Sequence, residues 1–407
     1  MSKWEWKKLG EVAKIYNGNS INANVKKERY SNVESGFPFI ATKDVGNDSE
    51  VDYENGIRIP FEEAGFKVAR KDTVLICAEG GSAGKKKCIL NEDVCFGNKL
   101  FAIDYNREKL IGKFVFYYTF EQSFTDEFQK LLSGIIGGVS SAKFKEIQIP
   151  IPPLSEQKRI VKFLDEEFSK IETLKTNAET NLKNAKELFE TTLEKELNLG
   201  KDGALPSGWE WKTLQEVCLE KIKDGTHQTP KYCNADEGVP FLSAKDITTG
   251  QINWDRIKYI VPELHEELYS KIAPKKNDVL LAKNGTTGVG AIVENDAVFD
   301  IYVTLALLRP NQKIILPRYL LRVVNSPLCK KQFDAHLKGI GVPNLHLNEI
   351  QKVQIPLPPL SVQKEIVARL DKLSENVKRL EANYKQIIAD CDELKKSILK
   401  KTFEGES

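Results

Sequence analysis

The string IPIPPLSEQKRIV at Ile149–Val161 returns as IPLPPLSVQKEIV at Ile355–Val367, ten of thirteen letters unchanged at an offset of 206. A repeat of this kind constrains the fold more than any local motif. The match extends in both directions: WEWKKLGEV at Trp4 answers WEWKTLQEV at Trp209, FPFIATKDV at Phe37 answers VPFLSAKDI at Val239, and VLICAEGGSAGK at Val74 answers VLLAKNGTTGVG at Val279. The offset stays between 202 and 206. That period is far too long for a solenoid, so the chain reads as a tandem duplication of one unit, a mixed domain followed by a helix.

The tails are the most legible part. In the second, Ile366, Leu370, Leu373, Val377, Leu380, Tyr384, Ile387, Cys391, Leu394 and Ile398 alternate steps of four and three, a heptad seam. In the first, Ile160, Leu164, Phe168, Ile171, Leu174, Ala178, Leu182, Ala185, Phe189 and Leu193 have a mean step of about 3.67, which predicts a helix with less regular supercoiling. The Pro-Pro pair before each tail holds the chain extended, and Ser155 and Ser361 are placed to cap the first turn. Gly200, Gly203 and Pro206 read as a linker. Helices of about forty residues are about 60 Å long. The second domain starts where the first helix ends and finishes where the second begins, so helices that pack must run antiparallel, with a domain at each end of a shared rod.

The expected organisation is α/β (α+β) domains in tandem, residues 1–154 and 199–360, each followed by a long helix, 155–198 and 361–407, the two helices forming an antiparallel coiled coil. Within each domain, short β-branched runs such as TVLICA and DVLLAK predict a curved, mixed or mainly antiparallel sheet.

Composition sets the remaining bounds. Hydrophobic residues at 41% and charged residues at 29% describe an ordinary globular chain. No run approaches twenty apolar residues and the start MSKWEWKKLGEV has no apolar run after its lysines, so a cytoplasmic protein with no signal peptide and no membrane span is expected. The seven cysteines are scattered without C-x-x-C spacing, so reduced thiols are expected rather than disulfides or a zinc site. GGSAGKK falls short of a phosphate-binding loop, because three residues separate Gly80 from Gly84 and no Ser or Thr follows the lysines. There is no G-x-G-x-x-G, no H-E-x-x-H and no Asn-Pro-Pro-Tyr type motif. No catalysis and no metal are expected of this chain.

The order domain, proline–serine joint, long helix, LPSGWEWKTL, domain, joint, long helix resembles the specificity subunit of type I DNA restriction–modification enzymes. DGTHQTP at Asp224–Pro230 and FLSAKDI at Phe241–Ile247 are similar to that family's target-recognition motifs, although the first domain has YNGNSINANVKKERY where the second has KDGTHQTPKY. The resemblance covers essentially the whole chain. It implies that each head reads one half of an asymmetric bipartite site in double-stranded DNA, and that the helices set the spacer and hold two methylation subunits. It further implies restriction/translocase subunits in the full complex, and S-adenosylmethionine, ATP and Mg bound by partners, with no cofactor for this chain. The other class considered is a non-catalytic coiled-coil adaptor whose heads bind proteins.

No segment carries a net charge beyond two in either direction, so phosphate affinity must be local or supplied by partners. Gly80, Gly81 and Ser82 followed by Lys85, Lys86 and Lys87, and Lys283 with Asn284, Thr286 and Thr287, combine small turn residues with groove-reaching donors. They also fit a plain β-turn with solvated lysines. Lys43 beside Asp44 and Lys245 beside Asp246 either face nucleic acid or form surface ion pairs. Thr226 and His227 offer donors in a loop, where a lone histidine is often simply solvated, and Gly138, Ser140, Ser141, Lys143, Gly341 and Asn344 lie just before the joints, free to meet DNA or to make tight packing turns. Ile160, Leu164, Ile171, Leu174, Leu182, Ile366, Leu370, Leu373, Val377, Leu380 and Leu394 are expected to pack the helix pair.

Overall fold

The computed structural model describes residues 4–134, 137–197, 204–337 and 344–404. It divides into two compact units, Met1–Ala178 with Gln386–Ser407, and Glu179–Lys385.

In the first unit, the strand Glu5–Lys8 pairs antiparallel with Gln148–Ile151, so the start and end of the head are clasped together. Between them lie two four-stranded sheets. The inner one runs in the order Ala13–Asn17, Leu100–Tyr105, Val74–Cys77, Lys87–Ile89, all antiparallel. The outer one runs Arg58–Ile59, Phe37–Ile40, Val94–Phe96, Val68–Ala69, and its central pair is parallel. Val74–Cys77 is buried along its whole length because both faces are covered, which is why its sequence is continuously apolar rather than alternating.

The second unit repeats this plan. Glu210–Thr213 clasps Gln354–Leu357 in the same register as the first clasp. The inner sheet orders Lys223–Asp224, Leu305–Leu308, Val279–Ala282, Gly290–Ile292, and the outer sheet again contains one parallel pair, Val239–Leu242 with Asp300–Ile301. The units differ in what flanks the outer sheet. The first inserts a helix at Ala23–Tyr30, the second a helix at Pro262–Lys271.

Two helices, Leu154–Glu196 and Leu360–Glu404, follow the heads. In the first unit Ile160, Leu164, Leu399 and Phe403 belong to the head's own core, where Phe403 lies 5.3 Å from both Phe114 and Tyr118. In the second unit Leu193, Leu197, Ile366 and Leu370 do the same. Burying each such side chain is worth about 1.5–3 kcal/mol. Ion pairs give the direction: Glu172 with Lys395 at 2.7 Å and Lys175 with Asp392 at 2.8 Å in the first unit, and Glu196 with Arg369 at 2.6 Å in the second. In the first unit the partner number falls as the residue number rises, so the helices pack antiparallel.

The seam itself differs from the heptad reading. Ile160, Leu164, Ile171, Ile366, Leu370 and Val377 are buried, and Leu182 and Leu373 are half-buried. Leu174 is 54% exposed, Leu380 37% and Leu394 47%, so these three lie outside the buried row of the pair. A helix with only one partner buries a narrow stripe, and away from the heads a single row suffices. On the first helix that row is Leu164, Ile171, Ala178 and Ala185, at seven-residue spacing, followed by an eight-residue step to Leu193. The small alanines let the backbones approach, and the residues expected beside them are turned to the flank.

The serine caps are also corrected. The helices start at Leu154 and Leu360, so Ser155 and Ser361 sit inside the first turn, and no bond from either hydroxyl occurs among the described residues. The glutamine two residues on does the fastening. Gln157 is fully buried. Its amide nitrogen donates to the carbonyls of Lys109 and Pro152 at 2.7 and 2.8 Å, and its oxygen accepts from Ile111 N–H at 2.9 Å. Gln363 repeats all three bonds with Ile314, Pro358 and Leu316 at 2.8, 2.7 and 2.8 Å. Each glutamine ties the long helix to the start of a head helix, Gly112–Tyr118 or Pro317–Val324. The repeated string is the sequence of that fastening.

Candidate nucleic-acid interface

In each head the central strand of the inner sheet ends at a mouth where loops from both sheets meet. The second head shows it most clearly. Beyond Val279–Ala282, the Lys283 N–H donates to the Thr304 carbonyl at 2.9 Å, and Leu345 N–H donates to the Lys283 carbonyl at 2.8 Å. Asn284 bridges to Asn344, bringing together two residues sixty apart in the sequence. Thr226 N–H donates to the Ile301 carbonyl at 3.2 Å, which places Thr226 and His227 at the same mouth. Thr286 and Thr287 occupy the turn, and the exposed Lys245 stands on a turn held by Thr304, whose hydroxyl accepts from Ala244 N–H at 3.0 Å.

The same frame stands in the first head. Ala78 N–H donates to the Lys99 carbonyl at 2.8 Å, Val139 N–H to the Ala78 carbonyl at 3.0 Å, and Glu79 bridges to Gly138. Asn19 N–H donates to the Phe96 carbonyl at 2.8 Å. One glycine in each head makes this possible. A Cβ on Gly18 would lie 1.8 Å from the Phe96 carbonyl oxygen, and one on Gly225 would lie 1.8 Å from that of Ile301. The first head's departure from DGTHQTP is therefore confined to side chains at this point, and the backbone path diverges only beyond it. The turns after the central strands share a second device: Gly84 and Gly288 have φ of +69° and +83° and sit against Phe128 and Phe333.

Several expected contacts are re-assigned. Lys283 is buried, and its ammonium is turned inward onto Asp224 at 2.9 Å rather than out to solvent. An ammonium that leaves water needs a counter-charge, and Asp224 supplies it while also lying 3.3 Å from His227 Nε2. Lys87 leaves the basic cluster as well. It is buried, donates to the Thr119 carbonyl, and lies 4.4 Å from the centre of the Phe120 ring. Burial pushes its ammonium down to about 7.

The remaining basic residues stay outside. Lys85 is exposed, and Lys86 reaches the Thr42 carbonyl at 3.2 Å, tying the turn with Gly80, Gly81 and Ser82 to Lys43. Lys43 pairs with Asp44 at 3.4 Å while remaining 73% exposed. Lys245 forms no ion pair among the described residues, and Asp246 accepts from the N–H and hydroxyl of Ser243 at 2.7 and 2.9 Å. Ser140 accepts from Lys143 N–H at 3.4 Å and starts the short helix Ser141–Phe144. Lys143 is exposed, and no contact among the described residues ties it to the mouth. Gly341 lies outside the described residues.

The two mouths thus share a backbone and differ in chemistry. Where the second carries Asp224, Lys283, Asn284 and Asn344, the first carries Asn17, Ala78, Glu79 and Gly138, with Glu79 paired to Lys99 at 3.1 Å. Asp224, Lys99 and Glu79 were not singled out in the sequence. Asp224 precedes Gly225 as Asn17 precedes Gly18, so the two tightly packed glycines align the pair at an offset of 207. Among the described residues no cluster suited to a metal ion occurs, all seven cysteines are free, and no helix is long and apolar enough to cross a membrane.

The family model of the type I restriction modification DNA specificity domain matches this chain twice, over residues 1–183 and 206–389. The chain is 24% identical to the specificity subunit of type I restriction enzyme EcoBI from Escherichia coli, covering 98% of this chain and 85% of that one. It is 23% identical to the MjaVIII specificity subunit from Methanocaldococcus jannaschii, covering 99% and 92%. Among solved structures, a chain described under complex assembly and conformational transition of the type I R-M system superposes with a TM-score of 0.80 at 23% identity over 99% of this chain and 98% of that one. The HsdS subunit from Thermoanaerobacter tengcongensis gives 0.61 at 22% identity, covering 99% and 97%.

Proposed function

Because this chain belongs to the type I restriction modification DNA specificity family, we propose that its two heads read the two different halves of one bipartite DNA sequence. It is a DNA-recognition subunit without catalysis of its own. The observation that carries the two-half reading is the pair of mouths: one backbone frame, with unlike side chains at equivalent positions. A shared frame with shared exposed lysines, Lys43 and Lys245, suits contacts to phosphates, which are alike in every sequence. Lys85, Lys86 and Lys143 add to that set. Side chains that differ suit base edges, whose donors and acceptors distinguish one pair from another. Ser82 and Ser141 in the first head, and Thr226, His227, Asn284, Thr286, Thr287 and Asn344 in the second, are assigned to this reading, while Gly80 and Gly81 let the backbone approach the groove. Lys283 serves it from behind by fixing Asp224 and, through it, His227.

The assembly contains double-stranded DNA, two methylation subunits held by the long helices, and restriction/translocase subunits. S-adenosylmethionine, ATP and Mg belong to those partners, and the cytoplasm is the place where all of them meet chromosomal DNA. The helices set the unspecified gap between half-sites. A protein-binding adaptor would have no use for two mouths built alike and furnished differently.

The test is selection from a random duplex pool by the chain in complex with its methylating partner. Enrichment of two short motifs at fixed spacing is expected. A pool that returns no enriched sequence would overturn the reading.

A further inference from the structure

We propose that the residue two places past the central strand of each inner sheet selects one base pair of its half-site: Glu79, with Lys99, a cytosine–guanine pair, and Asn284, with Asn344, the adenine of an adenine–thymine pair. The inference rests on the DNA-reading assignment above and deepens it by stating which pair each mouth selects.

Glu79 and Asn284 hold one backbone position. Ala78 and Lys283, which precede them, make the same two backbone bonds, and Glu79 then bridges to Gly138 as Asn284 bridges to Asn344. Ala78 and Lys283 are buried, as are Val139 and Leu345 beyond the bridge. Side chains alternate along extended backbone, so Glu79 and Asn284 turn to the opposite face, together with the residues they bridge to. Gly138 brings no side chain, and a Cβ there would lie 3.3 Å from that of Glu79. The first mouth therefore presents one carboxylate, 43% exposed, with the Lys99 ammonium beside it at 3.1 Å. The second presents two carboxamides on one bridge.

These two sets suit different base edges. A carboxylate only accepts, and phosphates repel it. Guanine and thymine turn acceptors to the major groove, and adenine sets its amine beside the N7 acceptor, so the N4 amine of cytosine is the edge that suits Glu79. The guanine paired with that cytosine offers O6 and N7 to Lys99. A carboxamide accepts and donates at one end, the complement of adenine's N6 amine and N7. The second mouth adds an independent observation. The side-chain oxygens of Asn284 and Asn344 are both buried, and among the described residues neither accepts a hydrogen bond. An unsatisfied buried acceptor is costly, and two on one bridge call for a donor. A half-turn of the Asn284 amide carries its oxygen to the groove, where the adenine amine supplies that donor.

The experiment is selection from a random duplex pool by the chain in complex with its methylating partner, comparing wild type with Glu79→Gln and Asn284→Asp. Both substitutions keep the side-chain volume and change only what it donates or accepts, and the exposed Glu79–Lys99 pair adds little to folding. Glu79→Gln is expected to move one position of one half from cytosine to adenine, and Asn284→Asp one position of the other half from adenine to cytosine, each by about fivefold or more in relative enrichment. Lys99→Met, which keeps the Glu79 carboxylate, should relax the position that Glu79→Gln changes. If Asn284→Asp melts well below wild type, Asn344→Asp is read in its place with the same expectation. Variants that return the wild-type motif, or that act on the same half, would overturn the proposal and leave the DNA-reading assignment standing. A wild-type pool with no enriched sequence would sink that assignment itself.

Discussion

Replacing Gln363 by leucine removes the fastening between the second long helix and its head while keeping the volume nearly constant. The substitution leaves the Leu316 N–H and the carbonyls of Ile314 and Pro358 without the side-chain partner they now have at 2.7–2.8 Å. A buried polar group that loses its partner costs about 1–3 kcal/mol, and the gain from burying the leucine offsets about 1 kcal/mol, so a net loss of about 3 kcal/mol is expected. For a unit of this size that lowers the melting temperature by about 6–12 °C. Calorimetry reads the shift, and native-state hydrogen exchange locates it: the Leu316 amide should exchange about a hundredfold faster, with little change in the inner sheet of the first head. Gln157→Leu should do the same at Ile111. A variant that melts with wild type and protects Leu316 equally would refute the fastening.

The other predictions follow from burial and charge. Leu370→Asp, at a fully buried seam position, should cost about 3 kcal/mol or more and disrupt the second unit, whereas Leu380→Asp, at an exposed one, should stay within about 0.5 kcal/mol in urea unfolding. Lys87, pushed down to about 7 in the folded head but titrating near the ordinary lysine value when unfolded, binds fewer protons folded than unfolded between those values. Stability of the first unit should therefore rise with pH above about 7, and Lys87→Met should abolish that slope in melts at successive pH values. Inserting four residues after Thr192, near the end of the first long helix, adds about 6 Å or about two base pairs. Selected sites should keep both half-sites and gain one or two base pairs in the gap, and altered half-sites with an unaltered gap would contradict the helices' role as a spacer.

The duplication, the long helices and the family were legible because they are written in periodicity and in strings that recur. What escaped depends on who covers whom. A heptad pattern marks both rows of a seam, yet Leu174, Leu380 and Leu394 are exposed because two helices alone bury one row over the middle of the pair. Lys85, Lys86 and Lys87 look alike in sequence, but the strand pleat and the Gly84 turn send the third into the core. Lys283 meets Asp224 across a sheet, and that pairing becomes visible only after the strands are ordered. Gln157 and Gln363 carry no such signal, since a glutamine on a charged helix is ordinarily solvated.

The central claim is that each mouth reads its own half of one site. The most direct measurement is the modified-base map of chromosomal DNA from cells carrying the chain and its methylating partner, wild type against Asn284→Ala in the second mouth. The wild-type map should show one asymmetric bipartite motif. The variant should relax or change one half of it and leave the other half and the gap as they were. A palindromic wild-type motif, or a variant in which both halves change together, would contradict the claim.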